Sequence, residues 1–115
     1  TSAGGVFSWQ NPESSKILVD RVIIDITSAA SDTDDSTMDV GTASDGSTSS
    51  DDLLDGASTQ AVAILDNIDD QGTNGQSVVK LDENGGTTDY INASQDTADV
   101  SDVEGKYYIH YRTVA

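Results

Sequence analysis

The stretch that decides the fold is Lys16 to Thr27, KILVDRVIIDIT. Its side chains alternate as a strand requires. Leu18, Val22, Ile24 and Ile26 fall on one face, and Ile17, Val19, Arg21, Ile23 and Asp25 on the other. Branched aliphatics on both faces predict a central strand, or one whose outer face meets another subunit. On the second reading Ile17, Val19 and Ile23 are interface candidates.

Shorter apolar blocks flank this segment. Upstream, Val6 to Gln10 alternates with Phe7 and Trp9 on one face and is broken by Asn11-Pro12. Downstream, Thr37 to Ala43 places Met38 and Val40 inward and Asp39 outward. The excursion Ser44 to Gln60 contains DDLLDG, read as one helical turn pinned by Leu53 and Leu54 and ended by Gly56. Ala61 to Ile68 and Ser77 to Asp82 are further strands, separated by a turn at Asn74-Gly75. Asn84-Gly85-Gly86 turns the chain into Thr88 to Ala93. Lys106 to Val114 closes it, with Tyr107, Ile109 and Tyr111 against Tyr108, His110 and Arg112.

About seven strands without helical periodicity predict an all-β chain, an antiparallel β-sandwich or jelly-roll-like fold with long Asp/Ser-rich loops. Loops 28–36 and 44–60 are the expected mobile parts. Residues 13–115 read as one domain, and residues 1–12 as a candidate anchoring arm. Phe7 and Trp9 join the interface candidates, because aromatics bury much area with few rotatable bonds.

Composition agrees with a loop-rich β protein. The 115 residues hold 18 Asp but only three Glu, with 15 Ser, 12 Thr and 10 Gly, and Asp favours turns and caps over helix interiors. Five Lys+Arg against 21 Asp+Glu give a net charge of −16. That balance argues against nucleic-acid and anionic-membrane partners, which need clustered cations. No apolar run approaches the roughly 20 residues of a membrane-spanning helix. Cysteine is absent, which removes disulfides and thiolate metal sites. The start at Thr1 has no secretory signal pattern, and a trimmed terminus or simple Met removal fits equally.

Candidate chemistry is sparse. His110 is the only histidine, and no G-x-S-x-G elbow accompanies it. Asp20 and Asp25, inside the strongest strand, are the carboxylates best suited to paired acid/base work, although strand-edge or interface carboxylates explain them more simply. The expectation is therefore a non-enzyme. Calcium takes six to eight oxygens, and Asp32, Asp34 and Asp35 in one loop and Asp66, Asp69 and Asp70 in another offer them. Neither loop has EF-hand spacing, so a solvated acidic loop and a bound Ca²⁺ both stand, with no other cofactor expected. The tract Asp45 to Asp55 has no recognised spacing. Asn92-Ala93-Ser94 is a formal glycosylation sequon.

The order of segments resembles a known group. KILVDRVIIDIT, TMDVGTASDGSTSSDDLLDG, AVAILDNIDDQGTNGQSVVKL, DENGGTTDYINAS and EGKYYIHYRTVA, from Lys16 to Val114, are similar to small structural proteins of tailed bacteriophages, particularly head decoration (cement) proteins. The resemblance implies a β-sandwich on the outer capsid surface of the virion, commonly a homotrimer, that binds the major capsid protein and reinforces the shell without chemistry. It carries no residue-level binding motif. Two other readings compete. One is an extracellular, Ca²⁺-dependent carbohydrate-binding or adhesive module, using Trp9, Tyr107, Tyr108 and Tyr111 as its sugar platform. The other is a tail, head-fibre or filament subunit. The charge, mostly in loops, is expected to keep the outer surface soluble, so assembly should hold or strengthen as salt rises.

Overall fold

In the computed structural model, which describes residues 6–31, 36–97 and 102–114, all regular structure is β. The strands are β1 (Phe7–Gln10), β2 (Ile17–Ser28), β3 (Thr37–Ala43), β4 (Leu54–Ser58), β5 (Ala63–Asp66), β6 (Val79–Leu81), β7 (Tyr90–Thr97) and β8 (Glu104–Thr113). One antiparallel sheet runs β1-β7-β3-β4. The other is built on β2, which is central, with partners along both of its edges. β8 lines one edge of β2, while β5 and β6 share the other, opposite Ile23–Ile26 and Ile17–Val19 respectively. The sheets pack face to face as a β-sandwich around Ile17, Val19, Val22, Ile24, Ile26, Met38, Val40, Leu54, Leu81 and Ile91.

Two-sided hydrophobicity in β2 has a simpler cause than two buried faces. The pairing with β8 steps from Val19↔Tyr111 to Arg21↔His110, leaving Asp20 as an extra residue. A bulge of one residue inverts the alternation. Ile17 and Val19 therefore point inward before Asp20, and Val22, Ile24 and Ile26 after it. Leu18, expected inward with Val22, instead sits only partly buried beside Lys80 and Arg112 in the ladder. Ile17 and Val19 are fully buried in this chain's own core, so they offer no surface to a partner. Ile23 is half-buried on the outer face.

The strand count exceeds expectation by β4, where a helical turn was predicted. Leu53 donates its N–H to the Val40 carbonyl (3.0 Å), and Leu54 pairs with Val40. A single helical turn carries the cost of nucleation with no propagation to offset it, whereas the edge of β3 offers ready ladder partners. Gly56 does take the left-handed conformation expected of a helix terminator (φ 70°), but it uses it in a β-bulge. The expected arm is also part of the fold where it is described. β1 pairs with β7, and its aromatics close one side of the sandwich. Phe7 stacks on Tyr107 with ring centroids 3.9 Å apart, and Trp9 tilts against Tyr111 at 5.6 Å.

Three fully buried asparagines hold the loops. Asn67 stands where β5 ends. Its Oδ1 accepts the Val22 N–H (2.9 Å), and its Nδ2 donates to the Gln76 and Ser77 carbonyls. Asn11 donates to the Ser15 and Asp82 carbonyls and accepts from Glu13 N–H. Asn92 donates to the Asp45 and Thr48 carbonyls, and so pins the start of the excursion that was expected to be mobile. Further along that excursion, Asp52 accepts from both the N–H and the hydroxyl of Thr42. Gly41 lets the loop lie directly on β3, because a Cβ there would come 2.7 Å from the Ser50 carbonyl carbon.

Candidate functional site

The two acidic loops expected to hold calcium fare differently. Asp32, Asp34 and Asp35 lie outside the described residues. Asp66 is buried, and its own neighbourhood occupies both of its oxygens. Oδ1 accepts the N–H groups of Ile68 (2.8 Å) and Asp69 (2.7 Å), and Oδ2 accepts Nη2 of Arg21 at 2.7 Å. Asp70 turns its carboxylate to the Asp66 N–H (2.9 Å), and Asp69 is exposed. The Arg21 guanidinium, followed by the Asp69 N–H, holds the Asp66 carboxyl below its ordinary range. This is a self-capped turn clamped to β2, and its carboxylates do not converge on a common point.

The carboxylates that do converge are Asp39, Asp51 and Asp55. One oxygen from each lies within 4.8 Å of the others. Local structure explains the meeting. Asp39 faces outward from β3 between the inward Met38 and Val40. The pairing with β4 slips between Met38↔Ala57 and Val40↔Leu54, so Asp55 and Gly56 together oppose Asp39. The bulge brings the Gly56 N–H within 2.8 Å of Asp39 Oδ1. The loop resting on Gly41 brings in Asp51. Asn74, from the turn after β5, donates its N–H to Asp55 (3.2 Å) and its amide to Asp51 (3.0 Å). Burial pushes the Asp39 carboxyl up. The Gly56 N–H opposes that shift, and Asp96, Asp55 and Asp51 add to it. Sequence spacing gave no sign of this cluster, since its members come from a strand, a loop and the bulge of a second strand.

A second feature is the outer face of the β2 sheet. All five Lys and Arg of the chain lie on or beside this sheet: Lys16, Arg21, Lys80, Lys106 and Arg112. Asp20, Asp25 and Asp66 offset them locally, with Arg21–Asp66 at 2.7 Å and Arg112–Asp20 at 3.9 Å. Among these charges stand Ile64, which is 71% exposed, Tyr108 at 46%, and the half-buried Leu18 and Ile23. Val62, Ile68 and Val78 are exposed on the adjoining segments. The face is thus near neutral and apolar in a molecule that is anionic elsewhere.

The remaining candidates are ordinary. His110 is exposed opposite Arg21 in the ladder, and Asp25 lies between Ile64 and Lys106. Of the four aromatics read as a sugar platform, Trp9 and Tyr111 pack together and are half-buried, whereas Tyr107, stacked on Phe7, and Tyr108 are exposed. A cleft of about 180 Å³ between Val6, Phe7, Met38 and Val103–Tyr107 is smaller than the roughly 300 Å³ at which ligand pockets begin. The sequon is closed to modification in the folded chain, because Asn92 is fully buried. No helix of the described residues is long and apolar enough to cross a membrane. No protein-family model matches the chain, and searches of curated proteins and of solved structures find no similar protein.

Proposed function

We propose that this chain is a non-enzymatic structural subunit that decorates the outside of a tailed-phage head, docking on the major capsid protein and on further copies of itself as a trimer. The observation that carries the reading is the charge segregation. A body of net charge −16 that gathers every Lys and Arg on one sheet has one face where close approach costs little repulsion. Ile64, Tyr108 and Ile23 supply apolar contact on that face. Because the face is near neutral, affinity comes from apolar and backbone contacts. Added salt screens the repulsion between the anionic remainders, so binding holds or strengthens with ionic strength.

The direct test is an electron-microscopy map of the source particle, in which this chain occupies the outer face of an icosahedral shell. Binding to heads stripped of decoration adds residue resolution. Ile64→Asp and Tyr108→Asp are expected to keep the parent's melting midpoint and lose co-sedimentation with heads. Undiminished binding in both variants, or binding that collapses in modest salt, would sink the reading.

A further inference from the structure

We infer that Asp39, Asp51 and Asp55, with the hydroxyl of Ser94, form a calcium site on the outer face of the β1-β7-β3-β4 sheet. The carboxylates alone would be a common surface feature. Ser94 sets this cluster apart. It is fully buried, and its Oγ has no hydrogen-bond partner. An unpaired buried hydroxyl is costly, and native structures seldom leave one without a reason. Ser94 is the direct ladder partner of Asp39, and both flank inward-facing residues, Val40 and Ala93, that pair with each other in the core. The Ser94 side chain therefore stands beside the Asp39 carboxylate on the same face, at the roughly 5 Å Cβ separation of cross-strand neighbours.

The oxygen inventory fits a hard cation. Each carboxylate has one oxygen held by an N–H or amide donor: Asp39 by Gly56, Asp51 by the Asn74 side chain and Asp55 by the Asn74 backbone. One oxygen from each of the three lies close to the others. Their mutual distances, within 4.8 Å, suit a central ion with oxygen ligands at about 2.4 Å. No Lys or Arg neutralises the group, since all five belong to the other sheet. Calcium tolerates an irregular set drawn from three segments and completes its shell with water, whereas Mg²⁺ demands near-ideal octahedral geometry. Bound there, the ion ties loop 44–53 and β4 to β3. This inference does not depend on the proposed capsid role and is tested on the isolated chain.

The experiment is calorimetric titration of the full, chelator-treated chain with CaCl₂ at constant ionic strength, with thermal melts alongside. One ion per chain, and a melting midpoint several degrees higher at saturation, are expected. Asp51→Asn and Asp55→Asn should each weaken Ca²⁺ at least tenfold. Ser94→Ala should weaken it several-fold while leaving the metal-free midpoint unchanged or raised, because it removes the unpaired hydroxyl. Mg²⁺ should bind more weakly. Parent affinity in either carboxylate variant or in Ser94→Ala overturns the site, as does a midpoint shift that NaCl of equal ionic strength reproduces.

Discussion

Two acidic groups sit on this molecule and behave in opposite ways. Asp66, Asp69 and Asp70 are neighbours in sequence, yet Asp66 and Asp70 spend their oxygens on nearby backbone N–H groups and on Arg21. Asp39, Asp51 and Asp55 are spread over 17 residues, yet they meet. Proximity along the chain favours self-capping, because a short Asp side chain readily reaches the N–H groups two or three residues on. Carboxylates brought together by a bulge and a loop take their donors from the Gly56 and Asn74 N–H groups and the Asn74 amide, and one oxygen of each stays close to the others.

The largest expected effect comes from removing the bracket behind the first group. Asn67→Ala strips partners from the Val22 N–H and from the Gln76 and Ser77 carbonyls. It should cost about 3 kcal/mol in urea denaturation, given roughly 1–3 kcal/mol for a buried group left unpaired, here the Val22 N–H, and less for carbonyls of the exposed Gln76 and Ser77. Asp66→Ala should cost about 2 kcal/mol through the Ile68 and Asp69 N–H groups, with little added by the ion pair to the half-exposed Arg21. Neither change should alter calcium affinity. A Ca²⁺ response lost in Asp66→Ala would mean that the two groups are not independent.

Acid separates the two groups by sign. The Asp66 carboxyl is held low in the folded chain, so its contribution is complete above the ordinary carboxylate range and is lost as pH falls through the folded value. The Asp39 carboxyl is held high, so its ionisation costs stability as pH rises through that raised value, and acidification relieves the cost. Urea midpoints measured against pH without calcium should therefore lose the mildly acidic gain in Asp39→Asn and the more acidic loss in Asp66→Asn. Unchanged profiles in both would remove the electrostatic distinction. The smallest effects are expected from single neutralisations. Without calcium, Asp51→Asn should stabilise by less than about 1 kcal/mol through relief of like-charge repulsion, whereas the exposed Asp69→Asn should leave the midpoint unchanged. Equal responses would erase the contrast.

Most strands were legible because period-2 alternation survives in short windows. β3 was read at Thr37–Ala43, and β8 was found within two residues at each end. β2 was recognised but its faces were misassigned beyond the bulge, since nothing local distinguishes an inserted Asp20 from an ordinary outward residue. β4 was missed because Leu53-Leu54 before an Asp-Gly pair suits a helical turn as well as a strand, and only the open edge of β3 decides between them. The candidate site was hidden for a related reason. Asp51 and Asp55 lay in a tract without recognised spacing, and Asp39 read as one outward strand residue.

The sequence by itself determined an all-β chain, a central β2, anionic loops and an absence of cysteine chemistry. Those follow from side-chain type and short-range period, which need no partner to be read. Only tertiary structure decided which faces are buried, which aspartates meet, and that every Lys and Arg gathers on one sheet. Each of these depends on ladder register. A single inserted residue, at Asp20 in β2 or at the Asp55-Gly56 bulge in β4, reassigns side chains to opposite faces without leaving a local mark.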